Sequence, residues 1–118
     1  MLRLSVLVAC AIGAGMMSSA SATEAFIGRW AAKPEVCSAR GGDTAATAPL
    51  IATATSVKWF VANCRIGKMY KIGQAVHLQA HCSSGGKIRS TPITLDARGD
   101  RMRVIWDGVK VEEMRRCK

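Results

Sequence analysis

After residue 22 the chain has no apolar run approaching the roughly 20 residues that a membrane-spanning helix needs. It also lacks a Cys-x-x-Cys pair, a Gly-x-Ser-x-Gly element, an internal repeat and a heptad pattern. Each absence removes a class of protein. Nothing downstream anchors the chain as a transmembrane protein, and a structural zinc site has none of its usual close ligand pairs. No nucleophile elbow is present. Aromatic residues make up only 5% of the chain, and 8 Asp+Glu stand against 17 Lys+Arg, a formal net charge of +9 at pH 7. Helical periodicity is nowhere sustained. At 118 residues, 49% of them apolar, the chain is one small domain and too apolar for a disordered tail.

What is present begins with a leader. Met1-Leu2-Arg3 is a basic start, Leu4 to Met17 is uncharged and apolar, and Ala20-Ser21-Ala22 fits an A-x-A cleavage site. This predicts a signal peptide over residues 1–22 and a single β domain over residues 23–118 in the periplasm. Leu7-Val8-Ala9-Cys10 also fits a lipobox. The residues ahead of Cys10 make a short h-region, so the reading followed here is that Cys10 leaves with the leader.

Four cysteines then remain, Cys37, Cys64, Cys82 and Cys117. In an oxidising compartment an even set reads as two disulfides, with three connectivities open. The pairing favoured is Cys37–Cys64 with Cys82–Cys117, each bridge stabilising by roughly 3–4 kcal/mol.

Alternation with period two predicts strands at Phe26–Ala32, Leu50–Thr55, Val57–Ile66, Gln74–Cys82, Lys87–Leu95, Arg101–Trp106 and Val109–Cys117. Val57–Ile66, apolar on both faces, reads as a central strand. Pro92 marks an edge or a bulge. Ala97-Arg98-Gly99-Asp100 and Asp107-Gly108 read as hairpin turns. The stretches Ser38 to Pro49 and Ser83-Ser84-Gly85-Gly86 read as loops. The fold class is all-β: a small antiparallel barrel or sandwich of six to eight short strands, stapled by disulfides.

The chemical inventory is thin. His77 and His81 would share a helix face, but on a strand their Cα atoms lie about 13 Å apart, too far to share one ion. With the cysteines oxidised no thiolate nucleophile is left. Asp96, Asp100 and Asp107 sit where turns favour aspartate. No metal, cofactor or catalytic residue is expected, and the protein reads as a non-enzyme. The basic residues fall into three groups: Arg65, Lys68 and Lys71 around one hairpin tip, Lys87 and Arg89, and Arg98, Arg101 and Arg103. A solvated, solubilising surface accounts for such an excess; so does attraction to an anionic partner. After export that partner is an envelope polymer, an acidic glycan or an acidic protein cleft, not a nucleic acid.

Gly28-Arg29-Trp30 resembles the G-x-W opening of lipocalin-like barrels and of a small periplasmic metalloprotease-inhibitor family. In those barrels a basic side chain packs on the tryptophan, a role open here to Arg115 or Arg116. The G-x-W start, the four cysteines, Trp106-Asp107-Gly108 and Arg116-Cys117 together resemble small exported β proteins of Gram-negative bacteria. Inhibitors of lysozyme and other peptidoglycan hydrolases belong to that group. Ser83-Ser84-Gly85-Gly86-Lys87 resembles the Ser-Gly loop of the c-type lysozyme inhibitors, without that motif's following tyrosine or its later W-x-K-G. The resemblance implies a periplasmic protein that blocks a hydrolase's catalytic cleft with a rigid polar loop bearing Ser83, Ser84 and Lys87, supported by Arg89. Animal lysozymes are themselves basic, so long-range steering opposes them, and a less basic bacterial hydrolase escapes that objection. The alternative is a non-enzymatic cationic module that binds peptidoglycan or lipopolysaccharide.

Overall fold

The structure, a computed structural model, describes residues 25–39 and 47–118; the leader over residues 1–22 lies outside them. The alternation becomes nine strands among the described residues: β1 (Gly28–Ala31), β2 (Leu50–Ala52), β3 (Ser56–Trp59), β4 (Ala62–Ile72), β5 (Ala75–Ser84), β6 (Lys87–Arg98), β7 (Arg101–Trp106), β8 (Val109–Lys110) and β9 (Met114–Arg116). A short 3-10 helix, Pro34–Ser38, follows β1. Strands β1 to β7 run up and down as antiparallel neighbours, except that β1 and β7 do not meet. Strand β9 fills that gap by pairing with both, and β6–β7 pairing completes a closed eight-stranded barrel to which β8 adds an edge.

A barrel this small fills its interior with side chains. Val76, Leu78, Ala80 and Cys82 of β5 point inward and are buried, as do Ile93 and Leu95 of β6 and Met102 and Val104 of β7. Trp59 and Trp106 meet edge to face with ring centroids 5.1 Å apart. Phe26 and Trp30 are buried in the same continuous core.

All three residues of Gly28-Arg29-Trp30 have structural work. Trp30 is fully buried and donates its indole N–H to the Phe26 carbonyl at 2.9 Å. Arg116, rather than Arg115, lies over the ring at 4.3 Å, and its guanidinium also donates to the carbonyls of Ala25 and Ile27. Gly28 has φ +144°, and a Cβ there would stand 2.6 Å from Arg116 Nη1. Arg29 points the other way and donates to the carbonyls of Cys37 and Ala39, pinning the end of the 3-10 helix.

Five expectations change. The bridges are Cys37–Cys117 and Cys64–Cys82, not Cys37–Cys64 and Cys82–Cys117. Strand neighbours decide this: Cys64 and Cys82 lie directly opposite on β4 and β5, while Cys117 follows β9, next to β1 and the 3-10 helix. Val57–Ile66 is not one central strand, because the chain reverses at Phe60-Val61 between β3 and β4. Val109–Cys117 is likewise two strands, β8 and β9. Arg65, Lys68 and Lys71 lie along β4, whose hairpin tip is Gly73-Gln74. Ser83-Ser84-Gly85-Gly86 is no loop: Ser84 pairs with Lys87 across a two-residue Gly85-Gly86 turn. Both glycines have positive φ, as such a turn demands.

The readings of Ala97-Arg98-Gly99-Asp100, Asp107-Gly108 and Pro92 hold, the first as the β6–β7 turn between Arg98 and Arg101. Asp107-Gly108 reverses the chain between β7 and β8 with both residues at positive φ. Pro92 stands where β6 loses its β7 neighbour, just past the Ile93–Trp106 pair.

Candidate functional site

Because consecutive strands alternate in direction, the β3–β4, β5–β6 and β7–β8 turns all emerge at one end of the barrel. Two of these hairpins stand side by side, since β4 pairs with β5. Asn63 lies opposite Ser83, so the Phe60-Val61 and Gly85-Gly86 turns end at nearly the same level. The Cys64–Cys82 bridge ties one hairpin to the other three residues short of each turn.

The four residues expected to act share this end but differ in their surroundings. Ser83 faces outward between Asn63 and Ile88 and lines an open groove of about 850 Å³ together with Arg65 and His81. Ser84 and Lys87 are the exposed pair flanking the turn. Lys87 has no ion-pair partner among the described residues. Arg89 is committed: its Nη2 donates to Asp107 Oδ2 at 2.8 Å. That pair braces the β5–β6 hairpin against the β7–β8 turn, while Lys87 stays unpaired beside it among the described residues.

Apolar residues complete the surface. Phe60 is 41% exposed, Val61 62% and Ile88 77%, all at this end. Phe60 also has φ +60°, a left-handed backbone that glycine or asparagine adopts readily and a bulky aromatic does not. Such strain costs about 1–3 kcal/mol and is retained mostly at functional positions. Phe60 and Val61 were not legible as a turn because Trp59-Phe60-Val61-Ala62 contains no turn-forming residue. A signal was nevertheless available: Leu50–Thr55 is too short to pair along the whole of a ten-residue neighbour.

Charge is distributed unevenly around the barrel. Residues 44–95 contain no Asp or Glu, yet they carry Lys58, Arg65, Lys68, Lys71, Lys87 and Arg89. Every ion pair among the described residues draws its carboxylate from Asp96, Asp107 or Glu113. The wall from β2 to β5 is therefore uniformly cationic.

The histidines stay apart along β5. The His77 ring stacks on Tyr70 with centroids 5.2 Å apart, and its Nδ1 lies 3.0 Å from Thr94 Oγ1. His81 packs over Gly67, a β-bulge in β4. No group of three His, Cys, Asp or Glu among the described residues is placed to hold a metal. No helix among them is long and apolar enough to cross a membrane.

No family model, no curated protein and no solved structure matches the chain.

Proposed function

We propose that the protein is a periplasmic inhibitor of peptidoglycan hydrolases, lysozyme included, that blocks the catalytic cleft with its paired hairpin tips. The observation that carries the reading is the cross-linked double hairpin. Two neighbouring turns, one apolar and one cationic, are fixed to each other by Cys64–Cys82 and project together from one end of a rigid barrel.

A surface that is already ordered loses little entropy on docking. Phe60, Val61 and Ile88 supply apolar anchors of the kind that dominate protein interfaces. Lys87 supplies a charge for the carboxylates that glycosidases place on either side of the scissile bond. A standard inhibitor contact buries about 800 Å² per partner, within reach of one end of such a barrel. The cationic wall favours a hydrolase that is acidic around its cleft and opposes a strongly basic one. Two disulfides suit an oxidising compartment.

Replacing Lys87 by alanine is expected to weaken inhibition of cell-wall lysis at least tenfold and to leave the melting temperature unchanged. Equal inhibition by Lys87→Ala would remove Lys87 from the contact.

The acid-free wall supports a second reading, a cationic module that adheres to peptidoglycan or lipopolysaccharide. Co-sedimentation with purified cell wall that fades steeply between low and moderate salt favours that reading, because exposed charges are screened. Stoichiometric inhibition that persists at moderate salt favours the inhibitor.

A further inference from the structure

Strand β4 has a neighbour on both edges for only part of its length. On one side β3 pairs with it from Ala62 to Arg65, and a last backbone bond joins Ile66 N–H to the Thr55 carbonyl. On the other side β5 continues to Ile72. From Gly67 to Ile72, no strand among the described residues lies along the first edge. Every second backbone N–H and C=O of that stretch points away from β5, the arrangement to which an added strand pairs.

The stretch is built to remain extended and exposed. Gly67 forms a bulge in which a Cβ would stand 3.0 Å from both the Gln79 carbonyl and His81 Nε2. Past the bulge Lys68, Tyr70 and Ile72 take the outer face, with Tyr70 and Ile72 58% and 62% exposed. Stacking on His77 braces Tyr70 from the neighbouring strand. Lys68 and Lys71 have no ion-pair partner among the described residues.

We propose that Gly67–Ile72 is a strand-addition site for an extended, acidic segment of a partner protein. Backbone pairing would give the affinity, and the two lysines, on opposite faces of the strand, would select carboxylates on the added strand. A second copy of this chain would bring its own Lys68 and Lys71 to this edge with no carboxylate in Gly67–Ile72 to answer them. Antiparallel self-pairing centred on Met69-Tyr70 sets Lys68 opposite Lys71, and like charges directly opposite each other are destabilising. The site lies at the end of the barrel away from the paired tips, since the β4–β5 turn points opposite to β3–β4 and β5–β6. It does not depend on the inhibitor reading.

The test uses the intact oxidised protein and a blocked ten-residue peptide of alternating glutamate and valine, with the lysine–valine peptide as control. Amide hydrogen exchange is followed residue by residue. Alternate amides from Gly67 to Ile72 are expected to exchange freely in the protein alone and to slow more than tenfold with the glutamate peptide only. The Lys68→Glu, Lys71→Glu variant should reverse the preference to the lysine peptide. Unchanged exchange at Gly67–Ile72 would overturn the proposal, as would protection confined to other strands or indifference to charge reversal. Concentration-dependent protection without any peptide would overturn it in favour of a second copy.

Discussion

Replacing Cys37 and Cys117 together by alanine is expected to lower the unfolding free energy by about 4–5 kcal/mol. The two are 80 residues apart in sequence. In the chain-entropy model, removing a cross-link over that span frees roughly that much in the unfolded ensemble. The native contacts beside the bridge survive the change. Arg29 binds the Cys37 and Ala39 backbone carbonyls, and the Cys117 N–H donates to the Arg29 carbonyl, neither of which needs a sulfur. The loss is therefore expected in denaturant midpoints and melting temperature, with inhibition retained at temperatures where the variant is folded. Removing Cys64 and Cys82 closes a loop of only 18 residues less tightly and should cost about 3 kcal/mol. That smaller loss should nevertheless weaken inhibition, because the tips are then held together only by the β4–β5 backbone pairing, which ends at Asn63–Ser83. If the long-range bridge instead controls inhibition, the tips are not the contact.

Gly28→Ala is the second large effect, with an expected cost of about 2–4 kcal/mol. Two terms contribute. The φ of +144° belongs to a region that side-chain-bearing residues enter at about 1–3 kcal/mol. The new methyl would also displace Arg116, which bonds two carbonyls and covers Trp30. Hydrogen bonds from a charged donor and a cation–π contact are each worth on the order of 1–2 kcal/mol. For a domain this size each kcal/mol moves the melting temperature by about 4–8 °C, so the shift is easily measured. In an Arg116→Ala background the methyl keeps only an ordinary contact with Trp30 Nε1 at 3.8 Å, and the cost of Gly28→Ala should fall to the backbone term. Identical costs in both backgrounds would mean that Arg116 does not press on Gly28.

These two results bear on how much the sequence discloses. Gly28-Arg29-Trp30 and a late arginine are legible because they are a matched set: only glycine admits the guanidinium that seals the tryptophan. The all-β class is legible from alternation, which leaves barrel and sandwich open, and Asp107-Gly108 is legible from turn chemistry. The disulfide pairing is hidden by a single residue. Counting outward from the Gly73-Gln74 turn, a regular hairpin sets Cys64 opposite Ser83; the extra residue at Gly67 brings it opposite Cys82. No local pattern around Gly67 announces a bulge. What marks the position is tertiary: the His81 ring and the Gln79 carbonyl stand where a side chain at Gly67 would go.

The candidate surface is half legible for a related reason. Ser83, Ser84 and Lys87 stand out because glycines follow the serines, and the structure places them at a projecting tip. Arg89 looks equivalent in sequence, yet Asp107, brought close by the β6–β7 pairing, occupies it. Phe60 and Val61 read as core by every local rule, and the reversal there is imposed by β2 and β3 finding their register at Leu50–Trp59. A strained aromatic turn is invisible until the strands beside it are paired.

We propose the paired tips as an inhibitory surface. Its most direct test is cell-wall lysis by a panel of bacterial hydrolases and animal lysozymes, titrated with the oxidised protein and with a Phe60→Asn, Lys87→Ala variant. Asparagine accepts the left-handed φ, so the variant is expected to match the parent in stability within about 1 kcal/mol. One-to-one inhibition of at least one hydrolase by the parent, and a loss of at least a hundredfold in the variant, are expected. Inhibition of none of the panel, or equal inhibition by both proteins, would contradict it.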